Sequence, residues 1–152
     1  MMTIERTFVM VKPDGVQRGV IGNVISRFET RGLKLIAARF MRITPDLAKK
    51  HYSEHVGKPF YPDLEGFVTS GPVLAMVWEG DQAIEMVRTM MGKTDPKASS
   101  PGTIRGDLGI TKSKNIIHGS DGPESAKREI ALFFKDDDIQ VYTRIDEPWL
   151  DD

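Results

Sequence analysis

Cysteine is absent from all 152 residues. That rules out disulfide staples, thiolate nucleophiles and zinc or iron–sulfur sites with cysteine ligands. Histidine is scarce, with three copies (His51, His55 and His118), so little of the chain can carry imidazole chemistry. No apolar run approaches the ~20 residues that cross a bilayer. The longest, Val73 to Trp78, is of strand length. An excess of one charge is also missing. The 21 Lys+Arg against 22 Asp+Glu leave a net charge of −1, which argues against a protein that blankets nucleic acid with positive charge. A local basic pocket remains open. The first residues, MMTIERTFVM, have no basic stretch leading into a long apolar one. No signal peptide is read there, and the cytoplasm is the expected compartment.

What is present fits one ordinary globular domain over residues 1–152, with 39% hydrophobic and 28% charged residues. A chain of this length can bury roughly 70% of its unfolded surface. Runs suited to buried strands are Phe8 to Val11, Leu35 to Ala38 extending to Ile43, Val73 to Trp78, and the short Ile116-Ile117. Helical period links Val20, Ile21, Val24, Ile25 and Phe28 up to Gly32. It also links Ala83, Ile84, Val87, Met90 and Met91 up to Gly92, and Ala126, Ile130, Phe133 and Phe134 behind Pro123. Thr44-Pro45 reads as a cap and first-turn proline for a further helix through about His55. Without that insert and the loop at 92–114, the order is βαββαβ. This is the ferredoxin-like α+β arrangement, a four-stranded antiparallel sheet with helices on one face. The loop contains Pro96, Pro101, Gly102, Gly106 and Gly109 and little periodicity. A loop longer than ~15 residues inside a compact domain usually serves function or assembly.

His118 sits in NIIHGSDG, where two β-branched residues lead a strand up to it and Gly-Ser-Asp-Gly breaks the chain after it. It reads either as a partly buried histidine satisfied by a neighbour or as a nucleophile or base. Lys12 (in VKPDG), Arg88 and Arg105 would each alone be solvated surface charges, but all fall at or near loop or strand ends, where sites are built. Asn115 is three residues before His118. No GxxxxGK[ST] is present, and Gly15, Gly19 and Gly22 do not form GxGxxG. A phosphate would therefore have to be clamped by side chains. A competing pattern is His51-Tyr52-Ser53-Glu54-His55, an HxxEH inverted zinc-protease signature. On a helix His51 and His55 would share a face, with Glu124 or Glu129 as a distant third ligand of a zinc hydrolase. The same residues also read as a polar helix face. A nucleic-acid-binding module on the same βαββαβ pattern is a third possibility, although the aromatics that such modules stack on bases are absent from the middle strands.

Segments along nearly the whole chain resemble the nucleoside diphosphate kinase family. They are TFVMVKPDGVQRG, HYSEH, KPFYPDL, SGPVLAMVWEG, TDPKASSPGTIRGDLG, NIIHGSDG and ESAKREIALFF. The resemblance implies transfer of the terminal phosphate of a nucleoside triphosphate, typically ATP, to a nucleoside diphosphate by a ping-pong route through a phosphohistidine at His118. It thereby implies a role in CTP, GTP, UTP and dNTP biosynthesis. A neutral imidazole, with an ordinary pKa of ~6.5, can attack phosphorus without first losing a proton. By the same resemblance Glu129 fixes the ring's tautomer and Ser120 orients Glu129. Lys12, Arg88 and Arg105 bind phosphates, and Tyr52 and Thr94 supply hydroxyls. Asn115 and Lys12 hold the sugar. Mg2+ is held mainly by the nucleotide, with Glu54 or Asp121 reaching it through water. The base would stack on Phe60 near Leu64. Lys112 stands where the family often has a small apolar residue, so its alkyl stem would cover the other side of the base. On this reading His51 and His55 are bystanders. The family likeness also implies a homohexamer, or else a tetramer, with Pro96 near a threefold axis. The C-terminal RIDEPWLDD, with Trp149 and Leu150, reads as an arm packed on a neighbouring subunit.

Overall fold

The computed structural model describes residues 2–151. Four strands, β1 (Ile4–Val11), β2 (Lys34–Arg42), β3 (Pro72–Asp81) and β4 (Ile117–Gly119), form one sheet in the order β2-β3-β1-β4. All neighbouring pairs are antiparallel. Seven α-helices accompany them among the described residues: α1 (Pro13–Gln17), α2 (Ile21–Thr30), α3 (Pro45–His51), α4 (Tyr61–Val68), α5 (Ala83–Met91), α6 (Ile104–Leu108) and α7 (Pro123–Phe133). Removing α1, α3, α4 and α6 leaves the expected βαββαβ order, followed by α7. No helix is long and apolar enough to cross a membrane among the described residues.

Both faces of the sheet are covered, a departure from the one-sided expectation. Strand residues alternate between the faces. Val9, Val11, Met76 and Trp78 pack with Val24 and Phe28 of α2 and Val87 and Met91 of α5. Phe8, Met10, Ala75 and Val77 pack with Ala48 of α3, Val68 of α4 and Phe133 of α7. The insert, α3 and α4, thus joins α7 over the second face. The middle strands β1 and β3 are covered on both faces, so the RNA-module alternative loses the central platform on which bases would stack.

Local chemistry sets several boundaries. The Thr44 hydroxyl accepts from the Leu47 amide at 3.1 Å, and Pro45 occupies the first helical position, as the sequence suggests. The helix ends at His51 rather than about His55, however, and a 3-10 turn over Ser53–His55 follows. The segment 92–114 is not structureless. It contains a 3-10 turn at Pro96–Ala98 and α6, capped where the Thr103 hydroxyl accepts from the Gly106 amide at 3.0 Å. The C-terminal arm is pinned to its own chain. Lys34 Nζ lies 2.7 Å from Glu147, Arg144 donates to the Leu33 carbonyl at 3.1 Å, and Leu150 covers Gly32. Trp149 stays 88% exposed, and Asp152, the arm's last residue, lies outside the described residues.

The join between β1 and β4 positions the site. Ile116, immediately before β4, has φ +75°, rare for a β-branched residue. It is the centre of a γ-turn in which the Ile117 amide donates to the Asn115 carbonyl at 2.8 Å. Two further bonds hold this strained turn: the Lys12 amide donates to the Ile116 carbonyl and the Ile116 amide to Asp14, both at 2.9 Å. Gly15 of α1 lies directly against it. A Cβ there would sit 2.7 Å from Val11 Cγ1 and 2.9 Å from the Ile116 carbonyl oxygen. Gly15→Ala should therefore lower stability by ~1–3 kcal/mol, the usual cost of overpacking a tight contact. Chemical denaturation measures it, and an unchanged midpoint would show that the turn can move aside freely.

Candidate active site

Strand register places His118. It lies opposite Met10 in β4, while its neighbours Ile117 and Gly119 face α5. A slip of one residue would turn the imidazole toward the wrong helix layer. On its own face, His118 meets the Phe8 ring at 6.0 Å between centroids and Glu129 of α7. Nε2 of His118 is 3.0 and 3.1 Å from the two Glu129 oxygens. An ionised carboxylate only accepts, so Nε2 carries the proton and Nδ1 carries the lone pair. The buried Ser120 hydroxyl donates to Glu129 Oε1 at 2.6 Å. Burial pushes the Glu129 carboxyl up, but the His118 hydrogen bond and charge, with the Ser120 hydroxyl, outweigh it and hold the group below its ordinary value.

In front of His118 opens a cavity of about 630 Å³. Lys12, Arg88 and Arg105 all reach it, and none forms an ion pair among the described residues. Three unpaired cations around one hollow call for an anion. Lys12 is half-buried and donates to the Asn115 side-chain carbonyl. Burial lowers its pKa to about 8, Asp14 opposes that, and Arg105 adds to it. Arg105 is buried and lowered to about 10, by burial first and then by Arg88. Its guanidinium also ties the 92–115 segment together, donating to the carbonyls of Asn115 at 3.3 Å, Ile117 at 2.7 Å and Gly92 at 3.4 Å. Asn115 completes the tie with an amide bond to the Thr94 carbonyl at 2.9 Å. Sequence reasoning had assigned Arg105 to phosphate alone.

Most of the other anticipated residues share one hollow. Tyr52, Glu54, Phe60, Leu64, Thr94, Lys112 and Asp121 line the same cavity. Ser120 does not, because it is buried behind Glu129. Burial, and then the Glu129 charge, raise the Tyr52 hydroxyl's pKa, keeping it a neutral donor. Phe60 is 49% exposed at the start of α4, an aromatic face at the rim, with the exposed Lys112 also lining the rim.

The HxxEH pattern does not assemble. His55 packs on Phe60 at 5.3 Å, while His51 turns inward. Among the described residues, the group of three or more histidine and acidic side chains close enough for a metal is His51, His118 and Glu129, without His55 or Glu124. Nor is His51 a bystander in position. It is buried, and its ring meets that of His118 edge-on at 4.8 Å. Burial first, and then the charge of His118, lower its pKa to about 3. Sequence reasoning also missed Asp14 and Arg128. Arg128 donates to the Lys50 carbonyl at 3.1 Å and lies 3.7 Å from Glu129. No local signal separates it from the other basic residues on helix surfaces.

The chain is similar to known proteins along nearly its whole length. A family model described as nucleoside diphosphate kinase matches residues 5–139. A protein of that name from Natronomonas pharaonis is 66% identical over 151 residues, covering 99% of each chain. One from Bacillus cereus is 54% identical over 147 residues, covering 97% of this chain and 99% of its own. The solved structure of a halophilic nucleoside diphosphate kinase from Halobacterium salinarum, in complex with CDP, superposes with a TM-score of 0.96. It is 53% identical and covers 99% of this chain and 100% of its own.

Removing the Ser120 hydroxyl takes a donor from a buried carboxylate. Ser120→Ala should cost ~1–3 kcal/mol at neutral pH. Glu129 is held below its ordinary pKa, so its stabilising contribution exists above the ordinary carboxyl range and is lost as pH falls through the folded value. The variant's Glu129 pKa should rise, shrinking that contribution. NMR titration of the carboxyl and denaturation at pH 7 and pH 4 test this, and an unmoved Glu129 titration would refute the coupling.

Proposed function

The chain belongs to the nucleoside diphosphate kinase family, a family of enzymes that transfer phosphate between nucleotides, and from that premise we propose how its own residues perform the reaction. The supporting observation is the tautomer of His118: Nε2–H is committed to Glu129, which leaves the Nδ1 lone pair for the cavity where the unpaired cations converge. In the first half-reaction Nδ1 attacks the terminal phosphorus of a nucleoside triphosphate. The N–P bond forms, the P–O bond breaks, and the bonding pair leaves with the nucleoside diphosphate. The positive charge this puts on the ring is met by the Glu129 carboxylate through Nε2–H. In the second half, a different diphosphate's terminal oxygen takes the phosphoryl group and His118 returns neutral. No separate base is needed, because the attacking nitrogen carries no proton.

Phosphoryl transfer is mostly positioning and charge stabilisation. Lys12, Arg88 and Arg105 take the phosphate charge, Tyr52 and Thr94 donate hydroxyls, and Asn115 with Lys12 holds the sugar. The base stacks on Phe60 beside Leu64, with the Lys112 stem opposite. A stack on an aromatic face accepts any base, so CTP, GTP, UTP and the dNTPs are all products. The reaction uses a divalent cation, and Mg2+ is the one proposed. It prefers oxygen donors and keeps its waters. The exposed carboxylates of Glu54 and Asp121, in the same cavity as the cations, suit such an ion through water. When bound with the nucleotide it neutralises phosphate charge.

We place the protein in the cytoplasm, working as a single domain over residues 1–152 and assembling as a homohexamer, with a tetramer as the alternative. Supporting assembly are the exposed side chains Phe40, on the edge strand β2, and Val141, Ile145 and Trp149. Nucleic acid is not expected as its main partner.

Protein incubated with gamma-labelled ATP should take up acid-labile, alkali-stable label. His118→Ala should take up none, and label persisting there would end this mechanism. Glu129→Gln should lower kcat at least tenfold with KM nearly unchanged, and the reverse pattern would remove Glu129 from the role given it. Lys12 loses its charge as pH rises through about 8 in the free enzyme, so nucleotide KM should climb above that pH. In Lys12→Arg the climb should vanish, and its persistence would assign it to another group. Mass measurement in solution separates six chains from four.

A further inference from the structure

Among the described residues neither ring nitrogen of His51 has a hydrogen-bond partner, although its side chain is only 1% exposed. Buried polar atoms left this way cost stability, roughly 1–3 kcal/mol each, so two on one ring need an account. Their surroundings supply one. Nδ1 of His51 lies 3.9 Å from Glu129 Oε2, and the His51 and His118 rings are edge-on at 4.8 Å and 78°. One donor atom from each of His51, His118 and Glu129 can be chosen so that all three lie within 4.8 Å of one another. The Phe8 and Phe133 rings pack against His51 and so line the group on its core side.

Two imidazoles and one carboxylate are the donor set of a zinc site with three protein ligands and an open fourth position. They do not suit Mg2+, which takes oxygen donors and sheds water reluctantly. Closing the group onto Zn2+ at 2.0–2.2 Å needs shifts of roughly half an ångström at each donor. We propose that His51, His118 and Glu129 form a binding site for a zinc-class divalent ion, separate from the ion carried by the nucleotide, and that filling it stops phosphorylation of His118. Binding occupies Nε2 of His118 with the metal, moves the ring proton from Nε2 to Nδ1, and draws the Glu129 carboxylate onto the ion. Nδ1 then carries the proton and has no lone pair to offer phosphorus, and the carboxylate no longer meets the charge that phosphorylation creates. The inhibitory part rests on His118 being the phosphoryl acceptor. The binding part does not.

The test uses the full-length protein freed of metal, with no nucleotide present at the binding stage. Co2+ added as a spectroscopic probe should give the visible bands of a four-coordinate site, and one equivalent of Zn2+ should abolish them. His51→Leu and His51→Asn should each weaken Co2+ binding about tenfold or more. Two substitutions, with the wild-type spectrum, guard against one that merely misfolds. In the second stage, one equivalent of Zn2+ before labelled ATP and excess Mg2+ should slow His118 labelling at least tenfold. Stoichiometric EDTA should restore it, and the His51 variants should label alike with and without Zn2+. Absence of Co2+ bands and of Zn2+ binding overturns the site, even in a protein that labels normally. Equal sensitivity to Zn2+ in the His51 variants overturns it by placing the ion elsewhere. Binding that leaves labelling unchanged overturns the inhibition. Binding in a protein that never labels supports the site and instead overturns the phosphohistidine reading.

Discussion

An ionised carboxylate deep in the protein is the constraint on which the rest depends. Glu129 is buried in α7, and such a charge is tolerated only when its oxygens are occupied by donors. His118 and Ser120 are those donors, and each comes from the β4 end of the sheet. The requirement to satisfy Glu129 therefore fixes the His118 tautomer. The requirement of the tautomer in turn decides which nitrogen is free for chemistry. Helix α7, strand β4 and the sheet face between them are held in one arrangement by a contact of three side chains.

A second constraint acts on the cations. Arg105 could not be held rigidly at a phosphate site by a carboxylate partner without cancelling its own charge. Backbone carbonyls solve this: they orient the guanidinium, accept its protons and leave its charge standing. The same bonds close the 92–115 segment into a fixed shape, so a stretch with two prolines and four glycines becomes part of the cavity wall. Lys12 gains a comparable arrangement from the Asn115 side chain, and the strained Ile116 turn brings the two together. Strain at this turn is held by two backbone bonds and one to the Asp14 carboxylate rather than by core packing alone, which suits a feature at a site more than one in a scaffold.

Much was legible in advance because it is local. Short continuous apolar runs such as Phe8 to Val11 announce strands, the 3.6 period through Ala83 to Met91 announces a helix, and Thr44-Pro45 announces the cap of another. The ring of site residues was legible through the likeness of NIIHGSDG and its companion segments to a family, since the individual side chains carry no such message. What stayed hidden was long-range. His51 looked like one half of a surface metal pair, because helical spacing was assumed to continue to His55. The helix instead stops at His51, and the turn that follows separates the two. Arg128 and Asp14 gave no signal, since their importance lies in partners 78 and 102 residues away.

By itself the sequence determined the strand and helix order, the absence of thiol chemistry and of a membrane-length run, and the single histidine set beside a glycine-rich break. These follow from the local pattern of apolar, branched and turn-forming residues. Only the tertiary structure decided that both faces of the sheet are covered and that Nε2 of His118 is the occupied nitrogen. It also decided that His51 faces inward onto the same carboxylate. Each of these depends on which distant side chains share a buried space, and that is set by packing and by the need to pair buried polar atoms, not by spacing along the chain.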